Sequence, residues 1–443
     1  MTGSLLGHDT LSSSQTKSMK FFATFALWLG ANMVVTTILT GMLLVPDLDF
    51  RDALGTVVLG TLIGAIPLVL VGLMGQRTGL PTMVLSRRAY GNLGAKFISL
   101  VNICMLVGWS WIQALLAAMS LNYAIESTFG YSNLPLMTVI CEAIVVLVVL
   151  RGHLGIERVE RWAAVLMLTL SLAVFYALNS HYDLGSLLEL PKRVDGITIG
   201  IAFDIVVATA FSWISSSADY NRNCNSPRTA VCATYLGYFT ATLLAMTLGA
   251  AVSGLSLLNN MEQTYDPTQL LSHFGFGLPA ALVIFLSVMT TNIMAVYSAT
   301  LSAMNLAPEM KFWKPALTIG LVSVFGALIP GILDQFQNFL IIIGGLFIPA
   351  FAVMICDYYL IDASSYNAGL LSQKQQIGLP TAKFAFAAYL IGAGLSSYWT
   401  LVSPLSFGSS LPVFIITGLL YWASVKLLVL PGTQLSAQQT SKG

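Results

Sequence analysis

Two stretches of this chain place side chains able to hold a small polar solute inside sequence that otherwise suits lipid. Ser287 to Tyr297 reads S-V-M-T-T-N-I-M-A-V-Y, with Thr290, Thr291 and Asn292 in a row, Ser287 one turn earlier and Tyr297 further on. Pro279 to Leu306 around it holds no charge, as a membrane-spanning helix requires. Hydrocarbon offers hydroxyls and amides no partner, so the row must face neighbouring helices, a water-filled cavity, or a bound solute or ion. Ser and Thr can instead back-bond to the preceding turn, and Asn can join two helices; three adjacent oxygen-bearing residues weigh toward a site. The second stretch is Val107 to Gln113, V-G-W-S-W-I-Q. Trp109 and Gln113 are four apart and share a helix face, while Trp111 points elsewhere. An indole with an amide one turn away suits a flat heteroaromatic ring, which stacks on the one and hydrogen-bonds the other. Tryptophans at a membrane interface are usually anchors, a role that fits Trp162 beside Arg161. Trp109 lies about three and a half turns from Lys96, too deep for that role.

The elements that must position these residues are membrane helices. The 443 residues are 56% hydrophobic and 9% charged, with a mean hydropathy of +0.80. About a quarter of an ordinary soluble chain is charged, so this chain cannot cover a water-facing surface of its size. The five cysteines stand singly with no C-x-x-C pair, and read as small buried hydrophobes. The segment to Ser18 is polar and lacks the apolar core of a cleavable signal peptide. With about 20 residues per span, the sequence predicts twelve transmembrane helices, centred near Gly30, Gly64, Gly108, Val145, Leu168, Ala208, Thr240, Met289, Leu321, Gly345, Tyr389 and Ile416. With the N-terminus inside, only Arg51, Lys192 and Arg193 of the 20 Lys and Arg residues fall outside; both termini are therefore expected in the cytoplasm. Gly75 to Gly94, with Pro81 and the Arg87-Arg88 pair, should separate the second span from the third and form a short helix at the membrane surface. No G-x-x-x-x-G-K-[ST] phosphate loop occurs.

The first span carries Gly30, Asn32, Thr36, Thr37, Thr40 and Gly41, and the sixth carries Thr209, Ser212, Ser215, Ser216 and Ser217. Each opens a five-helix half. Glycine and hydroxyl interruptions at matching places predict two discontinuous helices flanking a site at mid-membrane depth, although small residues also serve close helix packing. Two carboxylates lie inside spans. Asp204, on the outer half of the sixth span, reads equally as a solvated, hydrogen-bonded acid or a proton carrier. Glu142, in the fourth, reads as a buried structural acid, protonated or paired.

In chain order, L-G-A-N and I-L-T-G at Leu29 to Gly41, G-x-R-T-G-L-P-T and S-R at Gly75 to Arg87, V-G-W at Val107 to Trp109, S-A-D-Y-N-R at Ser217 to Arg222, T-T-N at Thr290 to Asn292, and I-P and D-Y-Y at Ile348 to Tyr359 resemble the nucleobase:cation symporter-1 family. That family includes cytosine permeases, hydantoin transporters, and purine, allantoin and thiamine-precursor carriers. The resemblance implies an all-α polytopic membrane protein of LeuT-like fold, two inverted five-helix repeats plus two extra helices. The divisions would be a cytoplasmic tail to residue 20, repeats over 21–180 and 195–362, the added helices over 380–430, and a cytoplasmic tail over 431–443. It implies a ring-stacking Trp109, an amide at Gln113, and a substrate-binding Asn292. Thr209, Ala210, Phe211 and Ser212 would line the site from the sixth span, where Ala210 stands in place of the family's second aromatic wall and only Phe211 and Trp213 are near. Cytosine permeases carry a glutamine where this chain has Leu106. A sodium ion would lie between the hydroxyls of Ser287, Thr290 and Thr291 and the carbonyls of Val34 and Thr37. The expected function is secondary active import of a nucleobase or related ring with a cation, sodium first, across the plasma or inner membrane. No cofactor and no nucleic-acid partner are expected. The alternatives are a proton-coupled carrier using Asp204 or Glu142, and a small-solute channel, against which the single midplane cluster argues. No H-E-x-x-H or G-x-S-x-G motif supports an enzyme.

Overall fold

The computed structural model describes residues 17–193, 195–259, 277–362, 364, 366, 371 and 380–429. Residues 1–16 of the expected first tail, residue 430 and all of the expected second tail, 431–443, lie outside the described residues, as does Lys374. Helices α1 (Phe21–Asn32) and α2 (Val35–Met42) meet at a 52° bend and together fill the first span. The rest follow as α3 (Phe50–Thr78), α4 (Thr82–Phe129), α5 (Leu134–Val149), α6 (His153–His181), α7 (Ile199–Asn221), α8 (Thr234–Leu258), α9 (Gly277–Leu306), α10 (Trp313–Ala327), α11 (Phe336–Cys356), α12 (Ala382–Leu401) and α13 (Ser410–Ser424). Helical segments occupy all twelve expected spans. Among the described residues, eight helices are long and apolar enough to cross a membrane alone, the α1–α2 pair is so when taken together as a broken span, and three apolar helices are shorter.

Only one of the two expected interruptions is present. Between α1 and α2, Met33 has ψ 63° and Val34 is extended. Val34, Val35, Thr36 and Thr37 form a β-branched run that disfavours helix. The sixth span, by contrast, is continuous from Ile199 to Asn221. Its hydroxyls reinforce the ladder: Thr209 donates to the Ile205 carbonyl at 3.0 Å, Ser212 to Thr209 at 2.7 Å and Ser215 to Ser212 at 3.2 Å. Between Ile201 and Asn221 it holds neither glycine nor proline, so nothing stops it.

The two helical units of the first span and the sixth are seated by close backbone approach. A Cβ on Gly41 would collide with the Met246 carbonyl, and one on Gly249 with that of Ile38, so α2 and α8 touch main chain to main chain. Along α3, Gly60, Gly64, Gly72 and Gly75 admit Val206, Ala210, Ser217 and Ala218 of α7. Small residues at such faces replace the hydrophobic drive that lipid removes. Gly91, at φ 64°, breaks α4 after a first segment from Thr82 to Tyr90, the expected separate helix of the loop. The Asp219 carboxylate of α7 accepts the Thr82 N–H at 2.8 Å and caps that segment. Helix α9 packs against α4 along its length and is buried from Ser287 to Ser302.

At the other end of α7, Asp204 meets the start of α13. Its carboxylate accepts from the Ser409 N–H at 2.6 Å, the Ser409 hydroxyl at 2.9 Å and the Ser410 N–H at 2.8 Å. An anion on the orphan N–H groups of a helix start is a stabilising arrangement. Asp204→Ala removes all of these bonds and is expected to cost about 1–2 kcal/mol, the scale of a lost cap. The check is the thermal unfolding midpoint; an unchanged midpoint would show that α13 does not depend on this cap.

Candidate functional site

A cavity lies against the break in the first span. Asn32 at the end of α1 and Thr36, Thr37 and Thr40 of α2 form one side. Leu106, Trp109 and Gln113 face it from α4, Thr209, Ser212 and Trp213 from α7, and Ala295 from α9. The Trp109 and Gln113 spacing thus brings both to one cavity. Trp109 is fixed edge-to-face against Phe339 at 5.3 Å and Phe336 at 5.9 Å, both on α11, a geometry aromatic pairs favour. Gln113 is 3% exposed, yet its Oε1 has no hydrogen-bond partner. A buried acceptor left open costs free energy unless a bound molecule or water serves it.

From α7 the structure divides the expected set. Thr209 and Ser212 line the cavity, whereas Ala210 faces α3 near Gly64 and Phe211 packs on Phe414 at 5.9 Å. The aromatic wall is Trp213 instead. It lies four residues after Thr209, and that helical spacing is the signal that separates it from Phe211. Its indole N–H donates to Asn32 Oδ1 at 3.1 Å, and its ring stands edge-on to Trp28 at 6.1 Å. Asn32 is itself held from two further sides. Its amide donates to Thr242 at 2.6 Å, and its Oδ1 also accepts from the Thr37 hydroxyl at 3.2 Å.

The hydroxyls of α9 gather at the helix break. Ser287 donates to the Met33 carbonyl at 3.0 Å; the Thr291 hydroxyl lies 3.4 Å from the Ala31 carbonyl and 3.1 Å from that of Ser287. Thr290 donates to the Ser287 carbonyl at 2.8 Å. The carbonyls they reach in the first span are therefore those of Ala31 and Met33, not those of Val34 and Thr37. The Val34 carbonyl accepts the Thr37 and Ile38 N–H groups at the start of α2, and Thr37 turns its side chain to the cavity. A cluster of hydroxyl and carbonyl oxygens beside an interrupted helix is chemically suited to a hard cation.

Asn292 is not among the cavity-lining residues. Its Nδ2 donates to Glu142 Oε2 at 2.7 Å, and its Oδ1 accepts from the Ser110 hydroxyl at 2.6 Å. All three residues are buried. Sequence reasoning missed this grouping because each member comes from a different span; the signal available was a carboxylate in the fourth.

Residues 13–393 match the family described as permease for cytosine/purines, uracil, thiamine, allantoin. The purine-cytosine permease FCY22 of Saccharomyces cerevisiae is 27% identical over 411 residues, 84% of this chain and 76% of that protein. Among solved structures, Mhp1, a nucleobase-cation-symport-1 family transporter, in a closed conformation with bromovinylhydantoin bound, aligns with a TM-score of 0.79 at 19% identity over 96% of each chain. A Na+-coupled sialic acid symporter aligns with a TM-score of 0.70 at 11% identity over 96% of this chain and 93% of that one. The fold is therefore the LeuT-like arrangement of a polytopic all-α protein, as expected.

The Trp213 to Asn32 bond yields a direct test. Trp213→Phe keeps a ring at the cavity but removes the indole donor, while Asn32 Oδ1 retains Thr37. The expected loss is about 0.5–1.5 kcal/mol, read from the thermal midpoint, with Trp213→Ala costing more. Equal midpoints for wild type and Trp213→Phe would show that the bond contributes nothing to the break.

Proposed function

Because this chain belongs to the family of permeases for cytosine/purines, uracil, thiamine and allantoin, we propose that it imports a heteroaromatic ring by cation symport, with sodium as the coupling ion. It is a membrane transporter and not an enzyme. The observation that carries the substrate reading is the cavity with Trp109 and Trp213 in its walls and the open Gln113 acceptor beside them. Indole faces supply sequence-tolerant stacking to any flat ring, and an amide edge selects rings bearing a hydrogen-bond donor. With Trp213 as the second aromatic wall, the cavity does not need the aromatic that Ala210 lacks. We assign the chain to the plasma or inner membrane with both termini cytoplasmic, and read 21–180 and 195–362 as its two repeats. The rings named for the family and its relatives are the candidates for this cavity.

Sodium is supported by the oxygens at the helix break. The hydroxyls of Ser287, Thr290 and Thr291 and the carbonyls of Ala31, Met33 and Ser287 converge there, with Val34 and Thr37 on the adjoining turn. The cation would fix the loosened end of α1 against α9. Ring and ion then share two elements, Asn32 following Ala31 on the one and Ala295 following Thr291 on the other. Asp204 is a poor proton carrier because its oxygens are engaged at the start of α13.

Trp109→Ala should fold but lose about 1–3 kcal/mol of ring affinity, on the scale of base stacking against an aromatic. Uptake into proteoliposomes and equilibrium binding measure it; near-wild-type values for both would sink the cavity assignment.

A coupled ion also sets a reciprocal expectation. Sodium should tighten ring binding by a factor of about 5 to 150, and the ring should tighten sodium by that same factor. Thr291→Ala deletes one oxygen ligand, so it should need more sodium to reach the same ring affinity and should largely recover at saturating sodium. The measurement is a ring titration at several sodium concentrations with choline holding ionic strength constant. An absence of sodium dependence in the wild type would remove the ion assignment and leave these hydroxyls as packing groups.

A further inference from the structure

The described buried carboxyl groups fall into two kinds. Asp219 takes the Thr82 N–H, with Arg222 one turn on, and Asp357 has Arg88 at 3.8 Å besides the hydroxyls of Tyr366 and Tyr421. Both face a positive group or a helix start. Glu142, 1% exposed on α5, has only neutral partners. Oε2 accepts from Asn292 at 2.7 Å, and Oε1 lies 3.5 Å from the Ser110 hydroxyl. Ser110 in turn donates to Asn292 Oδ1 at 2.6 Å. A structural brace between α5 and α9 needs no carboxyl, since two apolar side chains would serve at lower desolvation cost.

The position of this triad gives it a use. Ser110 directly follows Trp109, and Asn292 lies one helical turn before Ala295; both neighbours line the cavity. The triad therefore ties the α4 and α9 walls together from behind, with α5 as the third support. Its chemistry also fixes a direction. An amide can turn over and exchange its oxygen for its nitrogen. The Glu142 oxygen accepts, so it holds Asn292 by Nδ2, and Oδ1 is left for the hydroxyl of Ser110.

We propose that Glu142 is a positioning residue for the ring-binding cavity, acting through Asn292 and Ser110 to hold the walls bearing Trp109 and Ala295 in one arrangement. This inference rests on the reading of that cavity as the ring site. Gln at 142 still reaches the amide but can offer it either an oxygen or an NH2 group, so it keeps the hold and loses the selection. Leu loses both and leaves the Asn292 donor buried without an acceptor.

The experiment is equilibrium binding of cytosine, uracil, adenine and allantoin to the full chain in nanodiscs, using whichever binds wild type most tightly for the variants. Glu142→Leu should weaken that ligand by about 5- to 150-fold, the effect of an orphaned buried donor, with Glu142→Gln between it and wild type. In an Asn292→Ala background the same two substitutions should have no further effect, because neighbours acting as one unit are non-additive. A residue with a merely structural role would lower the thermal midpoint in both backgrounds and leave the affinity series intact. Unchanged affinity in Glu142→Leu, or an undiminished series in the Asn292→Ala background, overturns the proposal. If Glu142→Leu does not fold, Glu142→Gln and Ser110→Ala carry the same comparison with Asn292→Ala. Failure of all four rings to bind wild type overturns the cavity reading and this inference together. Binding that Trp109→Ala abolishes but Glu142→Leu leaves intact overturns this inference alone.

Discussion

A main chain that stops being helical inside hydrocarbon leaves polar groups that lipid cannot serve, and the break between α1 and α2 sets this requirement for the whole molecule. The hydrogen bonds around it show how it is met. Ser287 and Thr291 of α9 reach the Met33 and Ala31 carbonyls, and Asn32 is bonded to Thr242 of α8 and Trp213 of α7. Three helices thus converge on three or four residues of backbone. Helix α9 has to be rich in hydroxyls, α8 has to approach α2 through Gly249, and α7 has to carry an indole donor at that level. The cavity lies beside this irregular segment, with Asn32, Thr36 and Thr37 on its wall.

A second constraint is charge. Three carboxylates near helix ends, those of Asp204, Asp219 and Asp357, are set where donors are concentrated. Asp204 sits at the start of α13, and Asp219 at the start of α4. Asp357 joins Arg88 and two tyrosine hydroxyls, and Arg88 extends to Asp362 at 3.2 Å. These bonds link the segment Thr82 to Tyr90 with the end of α11 and with α13. The motifs S-A-D-Y-N-R and D-Y-Y, which mark the chain so plainly, therefore serve helix junctions and not the cavity itself. Tyr220 of the first motif donates to the Met294 carbonyl at 3.1 Å, and Asn221 accepts the Trp28 indole N–H at 2.9 Å, tying the end of α7 to α9 and α1.

The positions of the helices were legible because long hydrophobic runs mark them, although the described apolar helices of three of the twelve, Leu134–Val149, Val165–Ser180 and Trp313–Ala327, are shorter than a full span. Trp109 and Gln113 were legible because their relation is internal to one helix. The sixth span was not, since serine and threonine read alike whether they interrupt a helix or back-bond within it; Thr209, Ser212 and Ser215 take the second course. Phe211 against Trp213 was decided by which face α3 buries, and the glycine row of α3 claims the face of Ala210. Asn292 was placed on the correct helix, but its partners Ser110 and Glu142 lie on two other spans, 182 and 150 residues away in sequence. The α9 hydroxyls reach the carbonyls of Met33 and Ala31, while the Val34 carbonyl is taken up by the Thr37 and Ile38 N–H groups at the start of α2, a division that only the bend decides.

What remains uncommitted in the cavity bears on how it can discriminate. Thr40, Thr209 and Ser212 spend their hydroxyl protons on their own helices, and Thr37 spends its proton on Asn32. Trp213 has given its N–H to Asn32. Among the cavity-lining residues, the buried acceptor left without a partner is Gln113 Oε1. On the proposed reading of this cavity as the ring site, its composition would draw affinity mostly from apolar and stacking surface, which every flat ring possesses. Discrimination by missing hydrogen bonds is steep only where a site's own polar groups would be stranded. On that same reading, the fully buried acceptor that a ring would serve is Gln113 Oε1, so rings able to donate to it should be accepted as a class. Finer selection falls to the shape of the cavity, and hence to whatever holds Trp109 and Trp213 at their separation.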